Sequence, residues 1–274
     1  MPFALAAAGG PTGRQGVPRK GEVAVHEDER GEGTGVVAGA LREHAQRKSL
    51  LLGIWEWTRS LVIALVLFIV LRTFVVEAFR IPTSSMENTL LVGDFLLVNK
   101  AVYGGEIPGT SLRIPAFAEP RRGDVVVFTP PRDPTKNYVK RLVGVPGDTL
   151  EMRDKILFRN GVEVSEPYAR HVDRSGDAVH PDMEWQSHHL IASTARGYHP
   201  TRDDWGPLVV PEGQYFVLGD NRDNSEDSRY WGFVPRPAIH GRPWIVYYSF
   251  DPAPSAAVPR LHRVRWERIG EAVR

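Results

Sequence analysis

The chain has 274 residues and no cysteine, which excludes disulfides, thiolate metal sites and a cysteine nucleophile. Its formal charge of +1 gives no strongly basic surface, so we expect no nucleic-acid partner. An apolar content of 42% allows a domain with a buried core. Lysine is rare, so the lysines beyond residue 80 can be considered by name: Lys100, Lys136, Lys140 and Lys155.

The N-terminal region changes from polar to strongly apolar. Residues 1–48 are rich in Gly, Ala, Pro and charge without apolar periodicity, which predicts a disordered cytoplasmic tail. An uninterrupted apolar run, LVIALVLFIVL, then fills residues 61–71. We predict a transmembrane helix over residues 58–78, within an anchor segment of 49–80. A buried helix of a soluble protein is the alternative interpretation.

The flanks of this apolar run indicate its orientation. Trp55 and Trp57 precede it, as aromatic residues do at membrane interfaces. Basic residues are concentrated on its N-terminal side, namely Arg42, Arg47, Lys48 and Arg59. Because cytoplasmic flanks carry such an excess, we predict a single-pass protein of the cell membrane, with a cytoplasmic N-terminus and an extracytoplasmic main domain.

Beyond residue 80 the signals are those of strands, which predicts a mainly β domain over residues 81–250. The short β-branched or aromatic runs are Phe95–Val98, Val125–Phe128, Tyr138–Val143, Phe216–Leu218 and Trp244–Phe250. From about 152 to 208 the composition becomes rich in histidine, charge, Gly and Pro, which indicates an inserted, loop-rich subdomain. The histidine spacing fits no metal pattern, so we expect no metal site. Residues 251–274 form a C-terminal segment, in which 261–266 is either an edge strand or a basic surface-binding segment.

A hydroxyl-rich turn, Pro-Thr-Ser-Ser-Met at residues 82–86, follows the apolar run closely. Ser84 and Ser85 are candidate nucleophiles, and an ordinary turn or helix cap is the alternative. A serine needs a base to become nucleophilic. The sequence has no Gly-x-Ser-x-Gly elbow, and no Ser-x-x-Lys accompanies these serines. The remaining base is a lysine that burial makes neutral.

The stretch NYVKRLV at residues 137–143 offers such a lysine. If it is a strand, Tyr138, Lys140 and Leu142 share one face, and Lys140 has apolar or aromatic neighbours. A lysine at a strand edge with its amine in water is the alternative. Lys100 is a weaker candidate, because it lies at the polar end of the strand that follows Ser85.

A third stretch, GDNRDNSEDSRYWGFVP at residues 219–235, is dense in charge. A calcium loop is excluded, because Ser228 stands where that pattern needs Gly and Val234 where it needs Glu. Alternating Asp and Arg predict an ion-pair network that fixes the shape of the loop. Ser225 is then placed to orient a neighbouring amine.

Together, SSM after an apolar span, YVKR before Val-Pro-Gly-Asp, and GDNRDNSEDSRYWGFVP resemble the motifs of bacterial type I signal peptidases, over residues 60–250. The resemblance implies that Ser85 is the nucleophile and Lys140 its general base. It also implies supporting roles: the Thr83 hydroxyl in the oxyanion hole with the Ser85 N–H, Ser225 bonded to the lysine, and Asp220, Asp227 and Arg229 shaping the site. The substrate is expected along strand edges near Ile81 and Val139.

The family fold that this resemblance implies is an antiparallel β catalytic core with a smaller inserted β subdomain. The implied function is a serine endopeptidase that removes signal peptides from exported preproteins, without a cofactor, after small residues of the Ala-x-Ala type. Preproteins and the lipid bilayer are the implied partners, and the secretion translocon is a further candidate. A single span suggests the single-anchor form common in Gram-positive bacteria.

Two positions depart from the family pattern: Ser84 stands where many members have Gly, and Asn88 where many have Pro. Loss of the fixed φ of proline predicts a less rigid turn at Asn88. Two other functions are considered. A self-cleaving Ser/Lys regulator protease has a similar dyad but no membrane span. A catalytically silent, membrane-tethered β scaffold would bind nascent exported chains without cleaving them.

Overall fold

A computed structural model describes residues 31–70, 72, 75–104, 115–174, 177–191, 197–252 and 263–274. Helix α1 spans Gly31–Val70. Its segment Leu52–Val70 is long and apolar enough to cross a membrane, with a mean hydropathy of 1.7 and none of the window buried. An apolar N-terminal helix was predicted here, and the structure contains one.

The boundaries of this helix differ from the prediction at both ends. Residues 31–48, which were predicted to be disordered, are helical, while residues 1–30 of that tail lie outside the described residues. The sequence around residues 36–52 is rich in Ala, Leu, Arg, Glu and Lys, which favour a helix without apolar periodicity. The helix ends at Val70 instead of residue 78, because residues 76–80 form a strand.

Eleven strands follow in the described part of the chain: β1 (Val76–Arg80), β2 (Asp94–Asn99), β3 (Val125–Phe128), β4 (Tyr138–Gly144), β5 (Thr149–Arg153), β6 (Ile156–Arg159), β7 (Val162–Glu163), β8 (Trp205–Val209), β9 (Gln214–Leu218), β10 (Val234–Pro235) and β11 (Ile239–Ser249). Seven form one sheet in the order β1-β2-β11-β3-β4-β9-β10, and all of its pairings are antiparallel. The five predicted strands lie in this sheet, which confirms the mainly β, antiparallel core. β11 begins at Ile239, earlier than predicted.

The insertion carries a second sheet of four strands, in the order β7-β6-β5-β8. This sheet runs from Thr149 to Val209, close to the predicted limits of 152–208. A 3₁₀ helix, Pro181–His189, lies between β7 and β8 in sequence. A one-turn helix α2, Ser228–Trp231, follows β9. The insertion is therefore an ordered β subdomain with long connections.

The core beneath the hydroxyl-rich turn explains why this turn is fixed. Ile81, Met86 and Leu90 are buried in one cluster with residues of β2, β3 and β11, namely Leu96, Val98, Val125, Val127 and Val246. The alternating burial of β2 supplies one face of this cluster. Val273 joins it from the C-terminal segment. The predicted edge strand at 261–266 is reduced to an isolated antiparallel bridge between Val264 and Phe250, flanked by hydrogen bonds from Asp251 N to Arg263 O and from Arg265 N to Ser249 O. Residues 261 and 262 lie outside the described part.

Candidate active site

Ser85 and Lys140 meet through a direct hydrogen bond. Lys140 Nζ lies 2.6 Å from Ser85 Oγ, and both side chains are buried. β4 places the amine: Lys140 is paired with Val126 of β3, and the Tyr138 ring on the same strand face lies 5.9 Å from Nζ. The predicted face of β4 is thus confirmed in the structure, and its lysine points inward.

The surroundings of Lys140 favour its neutral form. Burial lowers the pKa of Lys140 to about 8, because an ammonium loses its hydration there. The Asp227 carboxylate acts in the opposite direction and Arg229 in the same direction as burial. A neutral amine can accept the proton of a serine hydroxyl at a pH near neutrality.

The turn that carries Ser85 is held by backbone and side-chain bonds. Glu87 N donates to Ser84 O at 2.9 Å, and Asn221 N donates to Ser85 O at 3.0 Å. Asn221 Nδ2 also donates to Ser84 O at 3.2 Å. Asn221 therefore binds the nucleophile turn to the loop after β9. The sequence analysis missed it, although its place directly after Gly-Asp at a strand end is a signal for a turn residue.

The two family departures have structural explanations. The Ser84 hydroxyl accepts a hydrogen bond from Asn224 Nδ2 at 2.7 Å. Asn88 has a φ of 103°, which proline cannot adopt, and its amide donates to Tyr168 O at 3.1 Å. This bond ties Asn88 to the inserted subdomain, and the less rigid turn expected at Asn88 stays a prediction. Lys100 forms an ion pair with Glu77 at 3.4 Å and is absent from the described lining of the groove at Ser85.

The predicted supporting hydroxyls are both near Ser85. Thr83 Oγ1 lies 3.4 Å from Ser85 Oγ and lines the groove, as an oxyanion donor would. Ser225 is buried, but its hydroxyl has no hydrogen-bond partner among the described residues. The predicted bond from Ser225 to Lys140 is thus not formed in this structure. Gly219 lies against both serines: a Cβ there would be 2.2 Å from Ser225 Oγ and 2.5 Å from Ser85 O.

Two buried ion pairs hold the loop after β9, and the pair within this loop agrees with the predicted ion-pair network. Arg141 donates to both oxygens of Asp220, at 2.8 and 2.7 Å. Arg229 donates to both oxygens of Asp227, at 2.8 and 2.8 Å, and neither side chain is exposed. Burial opposes ionisation of Asp227, but the charge and hydrogen bonds of Arg229 outweigh it and hold the pKa of Asp227 below its usual range.

A groove with a volume of about 630 Å³ extends from the Ser85–Lys140 pair. One wall is the chain from Phe79 to Met86 and the other is the chain from Lys136 to Lys140, so Ile81 and Val139 both line it. β4 pairs with β3 through residues 138–141, but its pairing with β9 begins only at Arg141. The other edge of residues 138–140 is thus available to an added strand.

Among the described residues, no three His, Asp or Glu side chains are grouped as a metal site. A serine hydroxyl bonded to a buried lysine amine, beside a groove with a free strand edge, is the arrangement that a serine endopeptidase with a lysine base requires.

Comparisons with known proteins agree with this class. The sequence profile of the family "Signal peptidase, peptidase S26" matches residues 54–248. A signal peptidase I of Pseudomonas aeruginosa is 38% identical over 239 residues, covering 82% of each chain. A signal peptidase I of Bacillus licheniformis is 34% identical over 200 residues, covering 72% of this chain and 90% of that protein. A solved signal peptidase I from Enterococcus faecalis is 35% identical, covers 46% of this chain and 98% of that one, and has a TM-score of 0.32.

The chain belongs to the signal peptidase family, peptidase S26. It is a serine endopeptidase that removes signal peptides from preproteins. This assignment disfavours both alternatives that the sequence left open, the self-cleaving regulator and the silent scaffold.

Proposed function

We propose that Ser85 is the nucleophile and Lys140 the general base of signal-peptide cleavage. The observation that carries this proposal is the 2.6 Å bond between Ser85 Oγ and the buried Lys140 Nζ. Ser85 Oγ attacks the scissile carbonyl carbon while its proton passes to Lys140 Nζ. Lys140 then gives this proton to the leaving amine, and an acyl-enzyme on Ser85 remains. Water then attacks the acyl carbon while Lys140 Nζ takes its proton, and the ester bond to Ser85 Oγ breaks. Lys140 returns the proton to Ser85 Oγ, and the signal peptide leaves with a new carboxyl terminus.

The negative oxygen of each tetrahedral intermediate needs donors beside Ser85. We assign these to the Ser85 N–H and the Thr83 hydroxyl, whose position 3.4 Å from Ser85 Oγ supports the role. Asp220, Asp227 and Arg229 keep the loop after β9 in shape through their buried ion pairs. Ser225 stays in this proposal as a residue that can orient Lys140, since it is buried beside the Ser85 turn.

The substrate binds as an extended strand between the chain at Ile81 and the chain at Val139. The free edge of residues 138–140 supports backbone pairing, and the apolar walls of the groove support small residues of the Ala-x-Ala type before the cut. The exported preprotein is the partner in this groove.

The enzyme is anchored by α1, whose segment Leu52–Val70 is the one candidate span in the described part of the chain. We propose a single-pass anchor of the form common in Gram-positive bacteria, with a cytoplasmic N-terminus and an extracytoplasmic catalytic domain. The apolar helix and the basic residues before it support this proposal. The lipid bilayer and the secretion translocon are the partners that such an anchor implies.

The test replaces the two adjacent serines in the full chain and assays a preprotein by sequencing the new N-terminus. Ser85→Ala is expected to lower kcat by roughly a thousandfold or more, because a methyl group cannot attack a carbonyl. Ser84→Ala is the matched control and is expected to retain most activity, since the Ser84 hydroxyl is bonded to Asn224. Exchange of these results would move the nucleophile to Ser84, and activity of the Ser85→Ala enzyme with an intact fold would refute the dyad.

A further inference from the structure

The inserted subdomain is not part of the groove. Every described residue that lines the groove lies in the chain segments 79–86, 136–140 and 224–226, and none lies between Thr149 and Val209. No described lining residue of the groove therefore supports a role of the subdomain in holding the substrate. The subdomain instead contacts the loop that lies beneath the catalytic pair.

These contacts converge on the backbone of Arg229. Trp185 Nε1 donates to Arg229 O at 3.1 Å, and Gln186 Nε2 donates to the same oxygen at 2.8 Å. Both side chains come from the 3₁₀ helix Pro181–His189. The Trp185 ring also packs edge-on against Phe233, with centroids 5.2 Å apart. One carbonyl within α2 thus receives two side-chain donors from the insertion.

The side-chain amide of Gln186 is itself held by a chain of hydrogen bonds within the subdomain. Gln186 is completely buried, and its Oε1 accepts from Tyr198 Oη at 2.7 Å. Tyr198 Oη in turn accepts from Gly206 N at 2.8 Å, next to the start of β8. Because every polar group of the Gln186 amide is used, its orientation is set by the subdomain and not by solvent.

The side chain of Arg229 connects these contacts to the loop beside the Ser85–Lys140 pair. Its guanidinium bonds Asp227 and donates to Ser225 O at 3.4 Å and to Arg222 O at 2.7 Å. The charged groups that face Lys140 are Asp227, Arg229, Glu226 and Asp220, with the Tyr138 ring on the same strand. Arg229 thus offsets part of the negative charge that Asp227 presents to the amine.

We propose that the inserted subdomain is a brace for catalysis, in which Gln186 and Trp185 are positioning residues that hold Arg229 against Asp227 beside the Ser85–Lys140 pair. The proposal rests on Lys140 as the base of the proposed function. Loss of both donors leaves the Arg229 carbonyl buried without them, which costs about 1–3 kcal/mol per unsatisfied group and favours a shift of α2. Such a shift separates Arg229 from Asp227. The negative charge of the Asp227 carboxylate is then less compensated by Arg229, and this charge stabilises the protonated form of Lys140.

The test compares full-length wild type with the double variant Trp185→Phe/Gln186→Met. This variant keeps an aromatic ring at position 185 and the side-chain length at position 186, but it removes both hydrogen-bond donors to Arg229 O. The pH dependence of kcat/KM is measured on a preprotein substrate. The acid limb of the double variant is expected to move up by about one pH unit, so that activity falls about tenfold at pH 7 and recovers at higher pH with KM unchanged. An acid limb of kcat/KM at the same pH as in wild type would refute the proposed brace.

Three controls keep this result decisive. Glu184→Gln alters an exposed side chain on the same 3₁₀ helix and is expected to leave the profile unchanged. If the double variant fails to fold, Trp185→Phe and Gln186→Met are measured singly, and each is expected to shift the limb in the same direction by less; two unshifted profiles would refute the proposal. Lys140→Ala separates the two hypotheses: retained activity there refutes the dyad, whereas an inactive Lys140→Ala with an unshifted brace variant refutes the brace alone.

Discussion

As the proposed general base, Lys140 must be neutral before it can accept a proton from Ser85, and its burial favours the neutral form. Because burial lowers the pKa of Lys140 to about 8, the neutral fraction grows as the pH rises toward 8 and falls about tenfold per unit below it. We predict that the acid limb of kcat/KM lies near pH 8, well below the ordinary lysine value. Lys140→Arg is expected to remain inactive at every pH, because a guanidinium stays protonated.

The measurement is a pH–rate profile of the full chain with a peptide substrate that has no titratable side chain. Lys100→Ala is the matched control: Lys100 forms an ion pair with Glu77, so its loss is expected to leave the limb in place. A limb near pH 10, or one that disappears in the Lys100 variant, would show that Lys140 is not the base.

The proposed catalytic residues could be predicted from the sequence because they lie in short, dense motifs that resemble those of a known family. Strand alternation alone places Tyr138 and Lys140 on one face of β4. The assignment of Lys140 to Ser85 came from the resemblance. The contacts of Asn88 and Asn221 do not follow, because each joins segments far apart in the chain and depends on the fold. A positive φ at Asn88 is likewise a property of the folded turn, since asparagine adopts ordinary conformations as well.

At the scale of elements, β9 and the loop after it must pass closely beneath the nucleophile turn. Gly219 permits this approach, because a Cβ there would lie 2.2 Å from Ser225 Oγ and 2.5 Å from the carbonyl oxygen of Ser85. The carbonyl oxygen belongs to the backbone of Ser85, so it cannot move away without displacing Ser85. We predict that Gly219→Ala lowers kcat by about a hundredfold, the effect of a displacement of about 1 Å at a reacting group. Overpacking is also expected to destabilise the fold by about 1–3 kcal/mol.

The measurement is kcat, KM and the melting temperature of the purified variant. Gly53→Ala in α1 is the control, because a Cβ at Gly53 meets nothing within 4 Å. Wild-type kcat in Gly219→Ala would mean that the loop can move away from Ser85 without effect, and the tight contact would then have no catalytic role.

The strands that the sequence predicted are those with continuous β-branched or aromatic runs, such as β3, where all four residues are buried. The missed strands are short or mixed in composition. β7 has two exposed residues, and β1 continues an apolar run that also suits a helix. Their strand conformation comes from pairing with β6 and β2, which local propensity does not record.

For the whole molecule, the limit between anchor and catalytic domain lies before β1 and not at residue 80. β1 pairs with β2 over five residues, from Val76 with Asn99 to Arg80 with Phe95. A chain that begins at residue 81 therefore leaves the edge of β2 without this partner. We expect it to melt at a lower temperature and to aggregate, whereas a chain that begins at residue 75 keeps the sheet complete.

The shorter enzyme also tests the role of the bilayer. α1 ends at Val70 and Ser85 follows fifteen residues later (70 to 85), so the sequence tethers the nucleophile close to the apolar segment. The catalytic domain also exposes large aromatic side chains, among them Trp244 and Trp266. We predict that the chain from residue 75 folds but cleaves a natural preprotein at least about tenfold faster with detergent or lipid vesicles than in plain buffer, since about 1.4 kcal/mol of apolar contact changes a rate or affinity tenfold.

A short, soluble peptide substrate is the control and is expected to show no such gain, because it has no apolar segment to place in the lipid. Full activity on the preprotein in plain buffer would contradict a membrane-apposed site, and an equal gain on both substrates would assign the effect to the enzyme's solubility instead of the bilayer.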